Sequence, residues 1–133
     1  MKRLLIILVA CASHALAGPI VRVSIDAKGE PSGLILQAYT ACLRNTPGVV
    51  VVPLGQPADA HIEITSIILM DRGFTKTGYV WASVVYDPAT YVLLEGPNQY
   101  IAGSNQDIRQ QAASDVQVLD RDVFISLRNQ PNN

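Results

Sequence analysis

The sequence predicts an α+β fold: two layers, a mixed four- or five-stranded sheet, and two helices packed on one face. Three observations carry this. Ala60 to Gly96 alternates with period two through three successive runs separated by turn residues. An apolar stripe of helical spacing runs from Ile108 to Leu127. A shorter helical pattern, Leu34 to Asn45, lies between two apolar strand-like runs near the start.

Met1-Lys2-Arg3 is basic, Leu4 to Ala12 is apolar, and Ser13-His14-Ala15-Leu16-Ala17 ends in an A-x-A site. This is the pattern of a secretory leader, too short for a membrane span. Cleavage after Ala17 is expected, leaving residues 18–133 as one domain, periplasmic or secreted. The alternative is Leu8-Val9-Ala10-Cys11, which matches a lipoprotein signal and would make the protein an outer-membrane lipoprotein through Cys11. The whole chain has 10 basic and 11 acidic side chains. Losing Lys2 and Arg3 tips the remainder further acidic, which argues against a nucleic-acid partner, since that needs a basic stripe. Cys42 would be the sole remaining cysteine, so no internal disulfide is expected. It reads as a small buried apolar side chain on a helix.

Ile20 to Ile25 alternates and reads as a first strand. Ser32 is placed to cap the first helix, and Pro47-Gly48 to stop it. Val49 to Val52 is a continuous apolar run, read as a buried strand joined to the first by a right-handed crossover, which gives one parallel pair. In Ala60–Met70, Ile62, Ile64, Ser66, Ile68 and Met70 share a face. His61, Glu63 and Thr65 share the other, which turns apolar at Ile67 and Leu69, so that end is expected to be covered on both sides. Asp71 to Gly78 is a hairpin loop. Gly78 to Asp87 is the next strand, with Tyr79, Trp81, Ser83 and Val85 opposite Val80, Ala82 and Val84. Asp87-Pro88-Ala89-Thr90 is a turn, because Asp bonds its own backbone and Pro pre-sets φ. Thr90 to Gly96 returns antiparallel, ended by Gly96-Pro97-Asn98, with Tyr100 to Ala102 as a short extension. Ser104 to Arg128 is one long helix with a Ser104/Asp107 capping pair. Its charged residues, Asp115 among them, are expected on a solvated face.

Chemistry is sparse. His61 is the one histidine after the leader. A nucleophile–histidine arrangement would have to recruit it, and it reads instead as a half-exposed strand residue beside Glu63. No Cys/His spacing suits zinc. Lys28 to Gly33 contains two glycines but lacks the Gly-Lys-Ser/Thr of a phosphate loop. No catalytic residue, metal or cofactor is expected. The aromatics are more informative. Small and β-branched Val80, Ala82 and Val84 suit packing beneath helices, which would leave Tyr79 and Trp81 on the helix-free face with Tyr91 nearby. Tyr79, Trp81 and Tyr91 are therefore the candidate binding interface.

Val21 to Ile25, the helix Ser32 to Asn45 running into Thr46-Pro47-Gly48-Val49-Val50-Val51-Val52, Ala58-Asp59-Ala60-His61-Ile62-Glu63-Ile64, and Ser83-Val84-Val85-Tyr86-Asp87-Pro88-Ala89-Thr90 come in a characteristic order. That order resembles the small periplasmic αβ domain at the amino terminus of TolB and in CsgG-like and transport-auxiliary outer-membrane proteins. The resemblance implies a protein that acts by binding other envelope proteins; it carries over no functional residue. The leading expectation is thus a non-catalytic exported envelope accessory or adaptor whose partner is another envelope protein. Alternatives are a small-ligand module, with a pocket lined by Tyr79, Trp81 and Tyr91, and an enzyme or enzyme inhibitor.

Overall fold

The computed structural model describes residues 19–131. The leader and Cys11 lie outside these residues. The elements are β1 (Val21–Gly29), α1 (Ser32–Arg44), β2 (Val49–Val51), β3 (Ala60–Met70), β4 (Lys76–Tyr86), β5 (Leu93–Ala102) and α2 (Asn105–Leu119). A π-helical turn, Asp120–Phe124, leads into α3 (Ile125–Arg128). The five strands form one sheet in the order β2-β1-β3-β4-β5. Both long helices pack on one face of it, so the predicted two-layer α+β class holds.

β1 is an interior strand, second in the sheet, and pairs in parallel on both sides. Val21 to Val23 meets β2, and Val23 to Gly29 meets β3. There are therefore two parallel pairs rather than the expected one. Val49 is buried but Val50 is 42% exposed: β2 is a short edge strand, not a strand covered on both faces. β1 ends at Gly29, where φ is +89° and a Cβ would stand 1.9 Å from the Ser66 carbonyl oxygen. Only glycine fits that turn into α1. Ser32 opens α1 without capping it by its side chain. At the second helix the expected cap is present: Ser104 Oγ accepts from Asp107 N–H at 3.1 Å, and Asp107 Oδ2 accepts from Gly103 N–H.

β3 and β4 form a hairpin whose register sets Ile62 opposite Val85, Ile64 opposite Ser83, and Ser66 opposite Trp81. Cross-strand partners share a face. Trp81 therefore projects to the same side as Ile62 and Ile64, beneath the helices. β5 begins later than expected and continues through Pro97 to Ala102. It is an outer-edge strand, where the N–H that proline lacks is not needed by a second neighbour, and the ladder shifts register between Ser83 and Tyr86.

The core lies between sheet and helices: Val21, Val23, Ile62, Ile64, Trp81 and Val85 from the strands, Ile35, Tyr39 and Leu43 from α1, and Ile108, Ala112, Leu119 and Phe124 from the C-terminal helices. The π turn advances the helix phase, so that Val123 and Phe124 are both buried although adjacent. Arg128 closes the base, donating to the Pro47 carbonyl and to Asp120.

Candidate binding surface

The candidate interface residues separate. Tyr79 is 3% exposed and Trp81 fully buried, whereas Tyr91 is 79% exposed. Tyr79 and Trp81 are core and cannot form a docking face with Tyr91. β4 alternates as expected, but its covered side is the opposite one, that of Tyr79, Trp81, Ser83 and Val85. The reason is chemical as well as geometric. A buried indole needs a partner for its N–H, and the helix layer supplies it. Trp81 Nε1–H donates to Tyr39 Oη at 3.1 Å. Tyr39 Oη–H donates to Asp115 Oδ2 at 2.6 Å, Ser83 Oγ–H donates to the same oxygen at 3.1 Å, and Tyr100 donates to Asp115 Oδ1. Asp115 is 1% exposed, so its place on the expected solvated face is also corrected. Its position was legible: it stands three residues after Ala112 and four before Leu119, on the buried stripe. Burial, and next the Asp115 carboxylate, raises the Tyr39 hydroxyl well above its ordinary value; burial, and next the hydrogen bond to Asp115, does the same to Tyr100. This cluster ties α1 and α2 to β4 and β5. Every buried side-chain polar atom among the described residues is paired, so the cluster is a satisfied core network rather than an open site.

Among the described residues no helix covers the other side of the sheet. There the β1–β3–β4 register aligns Ser24, His61 and Tyr86, then Asp26, Glu63 and Val84. Ser24 Oγ and His61 Nδ1 are 2.7 Å apart. His61 meets Tyr86 at 5.0 Å between ring centroids, and Tyr86 stacks on Tyr91 at 5.8 Å. Burial, opposed by Glu63 and Asp26, lowers the His61 pKa, so the ring is neutral at neutral pH. This aromatic run floors an open cleft of about 490 Å³. Its walls are the β2–β3 loop, Leu54 to Ala58, and the β4–β5 turn, Pro88 and Ala89. Among the described residues no charged side chain lines it. Ser24 and His61 touch as a nucleophile and base would, but Ser24 is only 4% exposed and its hydroxyl is committed to the ring.

Farther along the same face, Ile67, Val80 and Ile101 lie in one cross-strand row. Ile67 is 57% and Ile101 69% exposed. The apolar end of β3 is thus open to solvent rather than covered on both sides. Tyr91 and Phe74, which close the two hairpin loops of β4, are both highly exposed and both in the left-handed backbone region, at φ 58° and 61°. Each loop is pinned by its leading aspartate. Asp87 Oδ1 accepts from Ala89 N–H, and Asp71 Oδ1 accepts from Gly73 and Thr75 N–H.

Cys42 is half-buried on α1 and burial raises its thiol pKa, which disfavours the reactive thiolate. Among the described residues no group of three or more His, Cys, Asp or Glu is placed to hold a metal, and no helix is long and apolar enough to cross a membrane.

No family model matches the chain, and no curated protein matches it. The solved structures that are similar include two from bacteria. TolB from Acinetobacter baumannii is 14% identical with a TM-score of 0.47, over 75% of this chain and 28% of TolB. An uncharacterized lipoprotein B from Nitrosomonas europaea is 19% identical with a TM-score of 0.43, over 84% of this chain and 87% of that one. The chain therefore spans little more than a quarter of TolB.

Proposed function

We propose that this protein is a non-catalytic, exported accessory or adaptor of the cell envelope that binds another envelope protein on the helix-free face of its sheet. The observation that supports the reading is the composition of that face. An aromatic cleft around Tyr86 and Tyr91 lies at one end, and at the other the row Ile67, Val80 and Ile101, of which Ile67 and Ile101 are exposed and Val80 half-buried. Exposed apolar area grouped on one face marks an interaction surface, and aromatic anchors are what protein interfaces use. The surface differs from the one expected from sequence: Tyr91 remains, and Tyr86, His61 and Ile101 take the places of Tyr79 and Trp81. The export leader, residues 1–17, belongs to the same proposal.

Site-specific photo-cross-linking in the intact envelope tests it. Cross-linkers replacing Tyr91 and Ile101 should trap the same discrete protein, while cross-linkers replacing Gln37 on α1 and Gln110 on α2 should not. Capture only from the helix positions, or from no position, would sink the proposal.

A further inference from the structure

The cleft at the His61–Tyr86–Tyr91 run has a chemistry that narrows what it takes. Its lining has aromatic rings and two prolines, Pro57 and Pro88, with the His61 imidazole, the Gln56 amide and the Tyr86 and Tyr91 hydroxyls as its polar groups besides the bound Ser24 hydroxyl. His61 Nδ1 is held by Ser24. With no cation among the described residues of its lining the cleft does not suit a phosphate or carboxylate, and with no anion among them it does not suit an amine. The group it takes is neutral and largely apolar. The rim aromatic Tyr91 is 79% exposed in a left-handed conformation that a bulky residue adopts only at a cost. Exposed aromatics held in unfavourable backbone conformations cluster at ligand clamps.

Charge enters one step along the same face. Asp26 and Glu63 form the next cross-strand pair after Ser24 and His61. Glu63 is paired with Lys28 at 3.4 Å, and Arg22 on the same strand face is paired with Asp59 at 3.1 Å. Asp26 forms no ion pair among the described residues, which leaves an uncompensated acid one step along the strands from the cleft. Two residues of strand are about 6.8 Å. A polyproline II segment advances about 3.1 Å per residue. A chain lying along the strands with a proline in the cleft would bring the residue two positions away over Asp26.

Resting on the docking reading above, we infer that the cleft recognises a proline-rich, polyproline II segment of the partner, with a basic residue about two positions from the anchoring proline. Such segments dock in aromatic-lined grooves because they are pre-ordered and lose little entropy on binding. The cleft supplies the rings, and Asp26 sets the direction of the segment.

The test uses amide chemical shifts of the isotopically labelled protein, titrated with octaproline ending in arginine, octaproline ending in glutamate, a glycine-serine peptide of equal length, and chitohexaose. The arginine peptide should shift the amides of Ser24, Gln56, His61, Tyr86 and Tyr91 saturably, and the glycine-serine peptide should not. The glutamate peptide should bind roughly two- to fivefold more weakly, the range an exposed ion pair allows. Asp26→Asn should erase that preference while leaving octaproline bound. Tyr91→Ala, at an exposed position, should weaken every proline peptide, with the remaining amides unmoved as the control for folding. No saturable response to octaproline, a response confined to the helices, or a response of the cleft to chitohexaose alone would each overturn the inference. If octaproline fails while the Tyr91 cross-linker still traps a protein, the docking reading stands and the proline class falls. If both fail, both fall.

Discussion

Trp81 and Tyr39 are joined across the layer boundary: the indole Nε1–H donates to the tyrosine hydroxyl at 3.1 Å, and both side chains are fully buried. The contact pins the centre of β4 to α1 and makes Trp81 a core residue. Trp81→Ala should therefore lose about 3 kcal/mol or more of unfolding free energy, the range for truncating a buried aromatic. Trp81→Phe should lose less, since it keeps part of the ring volume and gives up the hydrogen bond. Urea melts of the two variants decide. A loss of about 1 kcal/mol or less for Trp81→Ala would return Trp81 to the surface.

Asp115 accepts from Tyr39, Ser83 and Tyr100. Asp115→Ala strands those hydroxyls in the core at about 1–3 kcal/mol for an unsatisfied buried group, so a total loss of about 3 kcal/mol is expected. Asp115→Asn keeps one acceptor oxygen and should lose less. Equal stability of wild type and Asp115→Ala would mean that the cluster does not hold the layers together.

The same cluster predicts alkaline sensitivity. Tyr39 and Tyr100 have their pKa values raised by burial and Asp115 above the ordinary 10. Above pH 10 the unfolded chain loses these protons while the folded one keeps them, so the stability they contribute is complete below pH 10 and falls as pH rises beyond it. Tyr39→Phe should flatten the fall. Phenolate absorbance of the folded protein should show these two tyrosines titrating last. Ordinary titration of Tyr39 in the folded state would contradict the buried network.

His61 behaves in the opposite sense. Burial holds its folded pKa below 6.5, against the opposing pull of Glu63 and Asp26. As pH falls through 6.5 the unfolded state protonates first, so stability present above that value is lost on acidification. His61→Gln should remove this component, and the imidazole carbon-bound proton shifts should report a midpoint below 6.5. A midpoint above it would show that the acids outweigh desolvation.

Phe74 sits at φ 61° with 86% of its surface exposed. Phe74→Gly should hold or raise stability by up to about 1 kcal/mol, because relief of the left-handed strain is offset by the greater freedom of an unfolded glycine. Phe74→Val should lower it, since a β-branched residue fits that region worst. A loss with glycine of more than about 1 kcal/mol would show that the ring packs on something it stabilises.

The features legible in the sequence are local. Period-two alternation located β3 to the residue, and helical spacing located both helices. Asp71 and Asp87 marked the turns, and Ser104 the second cap. These features depend on backbone geometry and on neighbours a few residues away, so a short window contains them. Which face of β4 is covered depends on pairing with β3, where Ser66 meets Trp81. Whether Asp115 is solvated depends on three hydroxyls brought from α1, β4 and β5. The cleft joins Ser24, His61 and Tyr91, held together by a parallel pairing of β1 with β3 and an antiparallel one with β4. Alternation divides a strand into two sides, but only long-range register and the burial it permits decide which side meets water.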